Sequence, residues 1–390
     1  MSTIKSDNSN LILNADGAGS EVKFHNNGVE ICKVDATGFS GNGIPTELND
    51  LSDVTVSASD PTISSNKPIG HLWINKISGE QYVATDATTG ANIWSNTGKG
   101  TFSISPWTLM DASGGTITTY GDYKVHTFLS SGTFSVASLG SVTSIDVLLV
   151  GGGGSGGAYT LTASYNNGQT GSNTTGFGNT ALGGGGGGKY ASNNGQNGGS
   201  GGGGGAQYGN GGSGTSGQGF GGGNTVSPGN KGGGGGGGAG GVGTAGNDTP
   251  GSSNGVGGIG KENLYRTGVD QYYAGGGGAA SAGGASYPGG VGGLGGGGNG
   301  GSAASAGDGL GNGVSGTANT GGGGGAGDYG WGAAHGGGGA GGMIVTTVSN
   351  PLGGYNIIIG AGAVSAQVND IGGPGNGGSG IVVIRYRTTA

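Results

Sequence analysis

Glycine runs limit what this chain can become. They fill 151–154, 183–188, 201–205, 232–238, 275–278, 321–325 and 336–339, and the last is followed by Ala340, Gly341 and Gly342. The chain holds 112 Gly in 390 residues, most of them after position 150. No ordinary helix or sheet accommodates that density, because glycine loses the most backbone entropy on folding and packs no side chain.

Three states suit such a stretch. One is a flexible linker or disordered segment. Collagen is excluded, because it needs Gly at every third position with abundant Pro, and this chain has 9 Pro and no strict period. The third is polyproline-II geometry adopted by glycine, in which bare backbones pack side by side and hydrogen-bond to one another. Many such bonds offset the entropy lost on ordering glycine. The flanks favour this third state. Ile145–Val150 runs straight into the first glycine run, Met343–Val348 leaves the last, and Tyr355–Ile359 and Ile381–Tyr386 follow. These are apolar, β-branched strand signals on both sides of one insertion.

The rest of the chain reads as β as well. In residues 1–50, Leu11 and Leu13, Val22 and Phe24, and Val29 and Ile31 alternate around turns at Asp16-Gly17 and Asn26-Asn27-Gly28. This meander is too small to bury its own core, and association of several copies would supply one. Gly38–Pro45 reads as a neck. Residues 51–100 hold a hairpin from Gly70 to Val83, turning near Ser78-Gly79, and a second apolar stretch at Asn92–Asn96, with Trp73 and Trp94 as the expected core. Tyr123–Leu129 and Thr133–Val136 are further strands. Val382, Ile384 and Tyr386 share one face, opposite Arg385 and Arg387. The expected fold class is therefore all-β: an N-terminal β-meander (1–50), a small two-hairpin module (51–100), and a C-terminal β-sandwich (101–390, strands in 120–150 and 343–390) with a polyglycine-II helix bundle inserted at 151–342.

Composition excludes several functions. Charged residues are 8% and the net charge is -7, so no basic face for nucleic acid exists. The single cysteine, Cys32, rules out an intramolecular disulfide framework. The start, Met1 to Asp7, lacks a secretory apolar core, and no run spans a membrane. The chain is expected to be made in a cytoplasm and, if it acts outside a cell, to leave by lysis or another leaderless route. Gly183–Gly188 before Lys189, and Gly255–Gly260 before Lys261, approach a phosphate loop. However, Tyr190 and Glu262 stand where Ser or Thr must hold magnesium. His25, His71, His126 and His335 lack metal-like spacing. No paired carboxylates or Ser-His-Asp set stands out, so an enzyme is not expected, although the 20 Asp plus Glu leave a glycan-degrading activity open. Asn173-Thr174-Thr175 and Asn247-Asp248-Thr249 match a glycosylation pattern but read as solvated loops. No cofactor is expected.

Phe128–Val136, then Val147–Val150 entering poly-Gly, then Gly380–Tyr386 at the end resemble the glycine-rich domain of bacteriophage tail fibres and adhesins. Leu11 to Val34, His71–Asn75 and Asn92–Trp94 are similar to N-terminal parts of tail-fibre proteins of marine and cyanobacterial phages. The resemblance covers most of the chain. It implies a virion protein, trimeric, attached to other tail proteins through its N-terminal segment, that binds a bacterial surface receptor by loops on a polyglycine-II bundle. The N-terminal segment is short for a long fibre, which points to a compact spike or tip subunit. A purely structural filament subunit is the alternative.

The bundle must return the chain to the sandwich, so its crossings are even in number. About nine glycine runs stand out, starting near 151, 183, 198, 211, 232, 275, 289, 321 and 336, and Gly255–Gly260 makes about ten. The far-end loops are then 158–182, 206–210, 244–254, 286–288 and 328–335. They offer Tyr159, Tyr165, Phe177, Tyr208, Tyr287, Tyr329, Trp331 and His335 as receptor-binding residues, because sugars stack on aromatic faces. The plainer alternative is that each aromatic caps a glycine run. Tyr265, Tyr272 and Tyr273, at the near end, should pack on the sandwich.

Overall fold

A computed structural model describes residues 22–26, 29–35, 38–40, 53–97, 108–160, 164–191, 193–225, 232–247, 254–282, 287–302, 311–328, 334–365 and 372–388. The chain forms two compact units, Met1–Pro106 and Trp107–Ala390. It is all-β, with no helix among the described residues.

In the first unit, β1 (Val22–Asn26), β2 (Val29–Asp35) and β3 (Gly38–Ser40) form an antiparallel sheet. Gly38–Ser40, expected as a neck, is thus a strand that continues the meander. The expected strand at Leu11 and Leu13 lies outside the described residues. β4 (Val54–Ser57), β5 (Leu72–Asn75), β6 (Gln81–Asp86) and β7 (Ile93–Asn96) form one four-stranded sheet in that order. β4 pairs parallel to β5, with Val54 opposite Leu72, so the module is a single mixed sheet rather than two hairpins. Trp73 and Trp94 meet edge to face, ring centroids 5.6 Å apart. Both stay half-buried, and Ala84 is the one fully buried apolar residue described in this module. The two rings therefore make a thin core.

The second unit opens with β8 (Asp111–Ser113), β9 (Thr116–Tyr120), β10 (Tyr123–Phe128), β11 (Gly132–Ser138) and β12 (Ser144–Val150). Short hairpins follow, β13 (Ala158–Thr160) with β14 (Ser164–Asn166), β15 (Thr174–Gly176) with β16 (Asn179–Ala181), and β17 (Lys261–Asn263) with β18 (Gln271–Tyr273). β19 (Met343–Ser349), β20 (Gly353–Ile357) and β21 (Ile381–Arg387) close the chain. β19-β12-β21-β10-β9 make a five-stranded sheet and β20-β11-β8 a three-stranded one. Phe134, Val136 and Ile357 of the smaller sheet pack with Ile145, Val147, Leu149, Val382, Ile384 and Tyr386 of the larger. The opposite face of the larger sheet is buried too, where Val125, Leu148, Val150, Met343, Ile381 and Val383 meet Tyr273, Ala274 and Ala340. Burial on both faces explains why β12 and β21 read as nearly continuous apolar runs.

The glycine-rich runs bond to one another through the backbone. In 336–342, the N–H groups of Gly336, Gly339 and Gly342 donate to the carbonyls of Gly188, Gly185 and Leu182 at 2.7–2.9 Å. Gly337 and Ala340 donate to Gly234 and Gly237, and Gly338 and Gly341 to Gly324 and Gly321. Donors three residues apart reach the same neighbour, and successive donors turn to different ones. Carbonyls of the same run accept from Gly151, Gly154 and Gly157, from Ser200 and Gly203, and from Gly277. The run is enclosed by neighbours, and a Cβ on Gly337 would fall on the Gly277 carbonyl.

Bond register gives each run its direction. The 183–188 run parallels 151–157, since Gly184 donates to Gly152 and Gly187 to Ser155. The 168–172 run opposes it, since Gly152 donates to Ser172 and Ser155 to Gln169. Following such bonds, 200–205, 219–224, 241–246, 274–282, 297–302 and 321–328 lead away from the sheets, whereas 193–199, 209–215, 232–238, 254–260, 288–294, 311–317 and 334–342 return. After β20, 358–365 leads out and 372–380 returns to β21. This last excursion lies outside the expected insertion. Crossings such as 168–172 or 311–317 contain too few consecutive glycines to be conspicuous in the sequence.

On the outermost runs, side chains replace missing neighbours. Asn194 Oδ1 accepts the Asn210 N–H at 2.9 Å, Asn197 Oδ1 that of Ser213 at 2.7 Å, and Asn299 Oδ1 that of Gly292 at 2.8 Å. Each would otherwise leave a backbone donor without a protein partner.

Candidate functional site

A site needs side chains, and inside this lattice there is almost no room for them. The turns are where they gather. At the end away from the sheets, the described turn 206–208 carries Gln207 and Tyr208 at φ +66 and +67. Tyr208 is 58% exposed, the most exposed aromatic described. Gln207 Nε2 donates to the Tyr190 hydroxyl at 3.0 Å, which ties this turn to the next. Tyr190 packs beside Ala206, Ala282 and Ala334. It was legible only as the residue that spoils a phosphate loop. Placing it at this end required the inconspicuous 168–172 crossing.

Tyr159 and Tyr165 lie on β13 and β14 and pair directly across that hairpin, at the same end. Tyr329 and Trp331 lie outside the described residues; Asp328 before them and Ala334 after them belong to an outgoing and a returning run.

The remaining candidates are corrected. Phe177 sits in the β15–β16 turn at φ +54, with its ring 4.6 Å from that of Tyr355 and 5.9 Å from that of Phe134. It belongs to the edge of the sheet core, because 168–172 brings the chain back before this turn. Tyr287 is buried, and its carbonyl accepts the Ser281 hydroxyl. His335 is fully buried; its Nδ1 accepts the Tyr190 N–H at 3.1 Å, and burial pushes its pKa down to about 3. It is a neutral acceptor inside the lattice and offers nothing to a ligand.

At the sheet end, Tyr273 is buried against the larger sheet, while Tyr272 is half-exposed. Arg385 holds the β17–β18 hairpin. Its Nε lies 3.0 Å from Asp146 Oδ2, its Nη1 donates to the Tyr120 hydroxyl at 2.9 Å, and its guanidinium lies 3.9 Å from the Tyr265 ring centroid and 4.4 Å from that of Tyr123. The Tyr120 hydroxyl donates to the Leu264 carbonyl at 3.3 Å. The sequence pattern placed Arg385 on the face opposite Tyr386 but gave no sign of its partners.

Other chemistry finds no support in the geometry. The N–H groups of Gly184, Gly185, Gly187 and Gly188 all donate to carbonyls of other runs, as do those of Gly255, Gly257, Gly258 and Gly260, so these amides turn to different neighbours and do not converge on one anion. Asn173 is exposed in a loop, as expected, with its Oδ1 accepting the Gly183 N–H at 2.9 Å, but the next residue, Thr174, is buried in β15. Asp248-Thr249 lies outside the described residues. Among the described residues no three His, Cys, Asp or Glu side chains group as metal ligands, and no helix is long and apolar enough to cross a membrane. No protein family, curated protein or solved structure matches the chain.

Proposed function

We propose that this chain is a receptor-binding subunit of a bacteriophage tail, a fibre or short spike. In this reading the second unit is a β-sandwich carrying a polyglycine-II bundle, and the turns at the bundle's outer end contact a bacterial surface glycan or outer-membrane protein. The observation that carries it is the saturation of the lattice interior. Backbone donors and acceptors there are spent on one another, and added side chains would strike backbone, as at Gly337. Such a body is a stiff support, and its chemistry is left to its ends and flanks. At the outer end the exposed Tyr208 supplies a rigid ring of the kind that stacks on sugars. Tyr159, Tyr165, Tyr329 and Trp331 are proposed to act with it. Residues 1–50 would join copies into a homotrimer and attach them to other tail proteins. The protein is proposed to bind without catalysis, in the virion, after synthesis in the host cytoplasm.

Binding of purified protein to whole cells of candidate hosts tests this reading. Tyr329→Ala with Trp331→Ala should abolish binding and leave the melting temperature within a few degrees of the parent. Retained binding, or a collapsed fold, removes Tyr329 and Trp331 from the site. Negative-stain images should show discrete short particles, whereas endless filaments would favour a structural subunit. A monodisperse monomer in light scattering would contradict the trimer.

A further inference from the structure

In the lattice, asparagine precedes glycine at 167, 194, 197, 210, 254, 299, 312 and 376. Asn-Gly is the pair most prone to lose its side-chain amide, because glycine has no Cβ to shield its own nitrogen. That nitrogen attacks the asparagine Cγ, and the new C–N bond closes a five-membered succinimide. Nδ2 leaves as ammonia, carrying the proton that the glycine nitrogen gives up. Water then opens the ring at either carbonyl, which leaves aspartate or an isoaspartyl residue. Two groups must be free for this: the side-chain carbonyl, to swing onto the backbone, and the glycine N–H, to lose its proton.

At every one of these pairs except Asn210-Gly211 the lattice ties both down. Oδ1 of Asn167, Asn194, Asn197, Asn299 and Asn376 accepts the N–H of Lys189, Asn210, Ser213, Gly292 and Ser365 at 2.7–2.9 Å. Oδ1 of Asn312 accepts those of Gly372 and Gly373. Asn254 is fully buried, and its Nδ2 donates to the Pro288 carbonyl at 3.3 Å. The glycine after each of these donates to a backbone carbonyl of a neighbouring run at 2.8–3.2 Å. In three pairs both bonds grip one residue: Asn194 and Gly195 hold Asn210, Asn197 and Gly198 hold Ser213, and Asn312 and Gly313 hold Gly373. Ring closure at such a pair must wait until the run opens.

Asn210 differs on both counts. Its backbone is held, but its side chain is exposed and makes no such bond. The Gly211 N–H donates at 2.8 Å to Oδ1 of Asn224, an exposed side chain, and not to a backbone carbonyl. A side chain turns away into water without moving its run, whereas a lattice carbonyl does not. We infer that Asn210 is the site at which the folded chain deamidates. The carboxylate formed there is ionised at neutral pH and stands two residues from Tyr208, at the outer end of the lattice. An isoaspartyl product also adds a carbon to the main chain ahead of Gly211, in a run whose register its neighbours fix. The inference does not rest on receptor binding, because it concerns the chemistry of the chain itself.

Peptide mapping of the full chain by mass spectrometry tests it. The folded protein is held in mildly alkaline buffer and sampled over time, and a digest at time zero sets the background. Fragment spectra place each conversion of amide to acid, and chromatography separates aspartyl from isoaspartyl peptides. Asn210 should convert roughly tenfold or more faster than any of the other pairs, because only they wait for the lattice to open. In concentrated urea, where the lattice is gone, all of them should convert within about threefold of one another. An Asn210 that stays intact in the folded chain, or another of these pairs that converts as fast, overturns the inference. So does an Asn210 that is equally favoured in urea, because the selectivity would then lie in the local sequence. Whole-cell binding is not read in this experiment, so its failure leaves the receptor reading standing.

Discussion

A single methyl group separates tolerated from forbidden in the lattice. At Gly337 it would fall on the Gly277 carbonyl, whereas at Gly221 the nearest atom would be a carbonyl oxygen 3.2 Å away. Gly337→Ala should therefore cost about 3 kcal/mol, at the upper range of overpacking. Gly221→Ala should cost less than about 1 kcal/mol. Urea midpoints at constant m decide, and equal losses would mean that the runs are not held this closely. His335 makes a second residue-scale prediction. Burial holds its folded pKa near 3, against about 6.5 in the unfolded chain. The unfolded chain binds a proton that the folded one refuses, so stability is full above about pH 6.5 and falls as pH drops toward 3. At pH 5 the loss is about 2 kcal/mol. His126, also shifted down by burial while its Nδ1 donates to the Gly114 carbonyl at 2.7 Å, adds a loss of the same sign. Melting temperatures at pH 7 and 5 should differ less in His335→Gln than in the parent; an unchanged difference would remove His335 from the account. His335 also shows where sequence reading fails at this scale. A histidine beside glycines looks exposed, and only the surrounding runs, distant in sequence, bury it.

At the scale of elements, the strands flanking the glycines were the most legible part. Ile145–Val150 and Ile381–Tyr386 carry β-branched, apolar patterns that local propensity reads well. β8 and β9 were missed, because Asp111–Ser113 is short and Thr116–Tyr120 is mostly exposed. The crossings were half legible. Runs of consecutive glycine stand out, but 168–172 needs only Gly168 and Gly171 where neighbours approach most closely, and Gln169 and Thr170 point outward. That one crossing moved Phe177 from the outer end to the sheets. The Arg385 clamp was invisible, since Asp146 and Tyr265 are far away in sequence. Arg385→Met keeps much of the side-chain bulk and removes the ion pair and the two ring contacts. It should lower stability by about 2 kcal/mol. Amides of the β17–β18 hairpin should then exchange faster than those of β12. If stability and hairpin exchange are unchanged, Arg385 does not hold the hairpin.

The whole second unit joins two solutions to one problem. The sheets bury side chains on both faces of β12 and β21, while the glycine runs bury backbone alone. Ladder bonds in the lattice stand in for a hydrophobic core, with each interior run serving several neighbours. The consequence for function is a body that is uniform inside and distinctive only at its turns and flanks. Composition left a linker and an ordered body both open, and the flanking strands favoured the second; its size and the identity of its exposed residues depended on counting crossings that the sequence half conceals. Amide hydrogen exchange of the intact chain, resolved along its length, tests the central claim most directly. Amides of 183–188, 232–238 and 336–342 should be protected to the same degree as those of β12, because they open only when the lattice opens. Complete exchange across these three runs within seconds, with β12 still protected, would mean that the glycines are a linker and that no platform for a binding site exists.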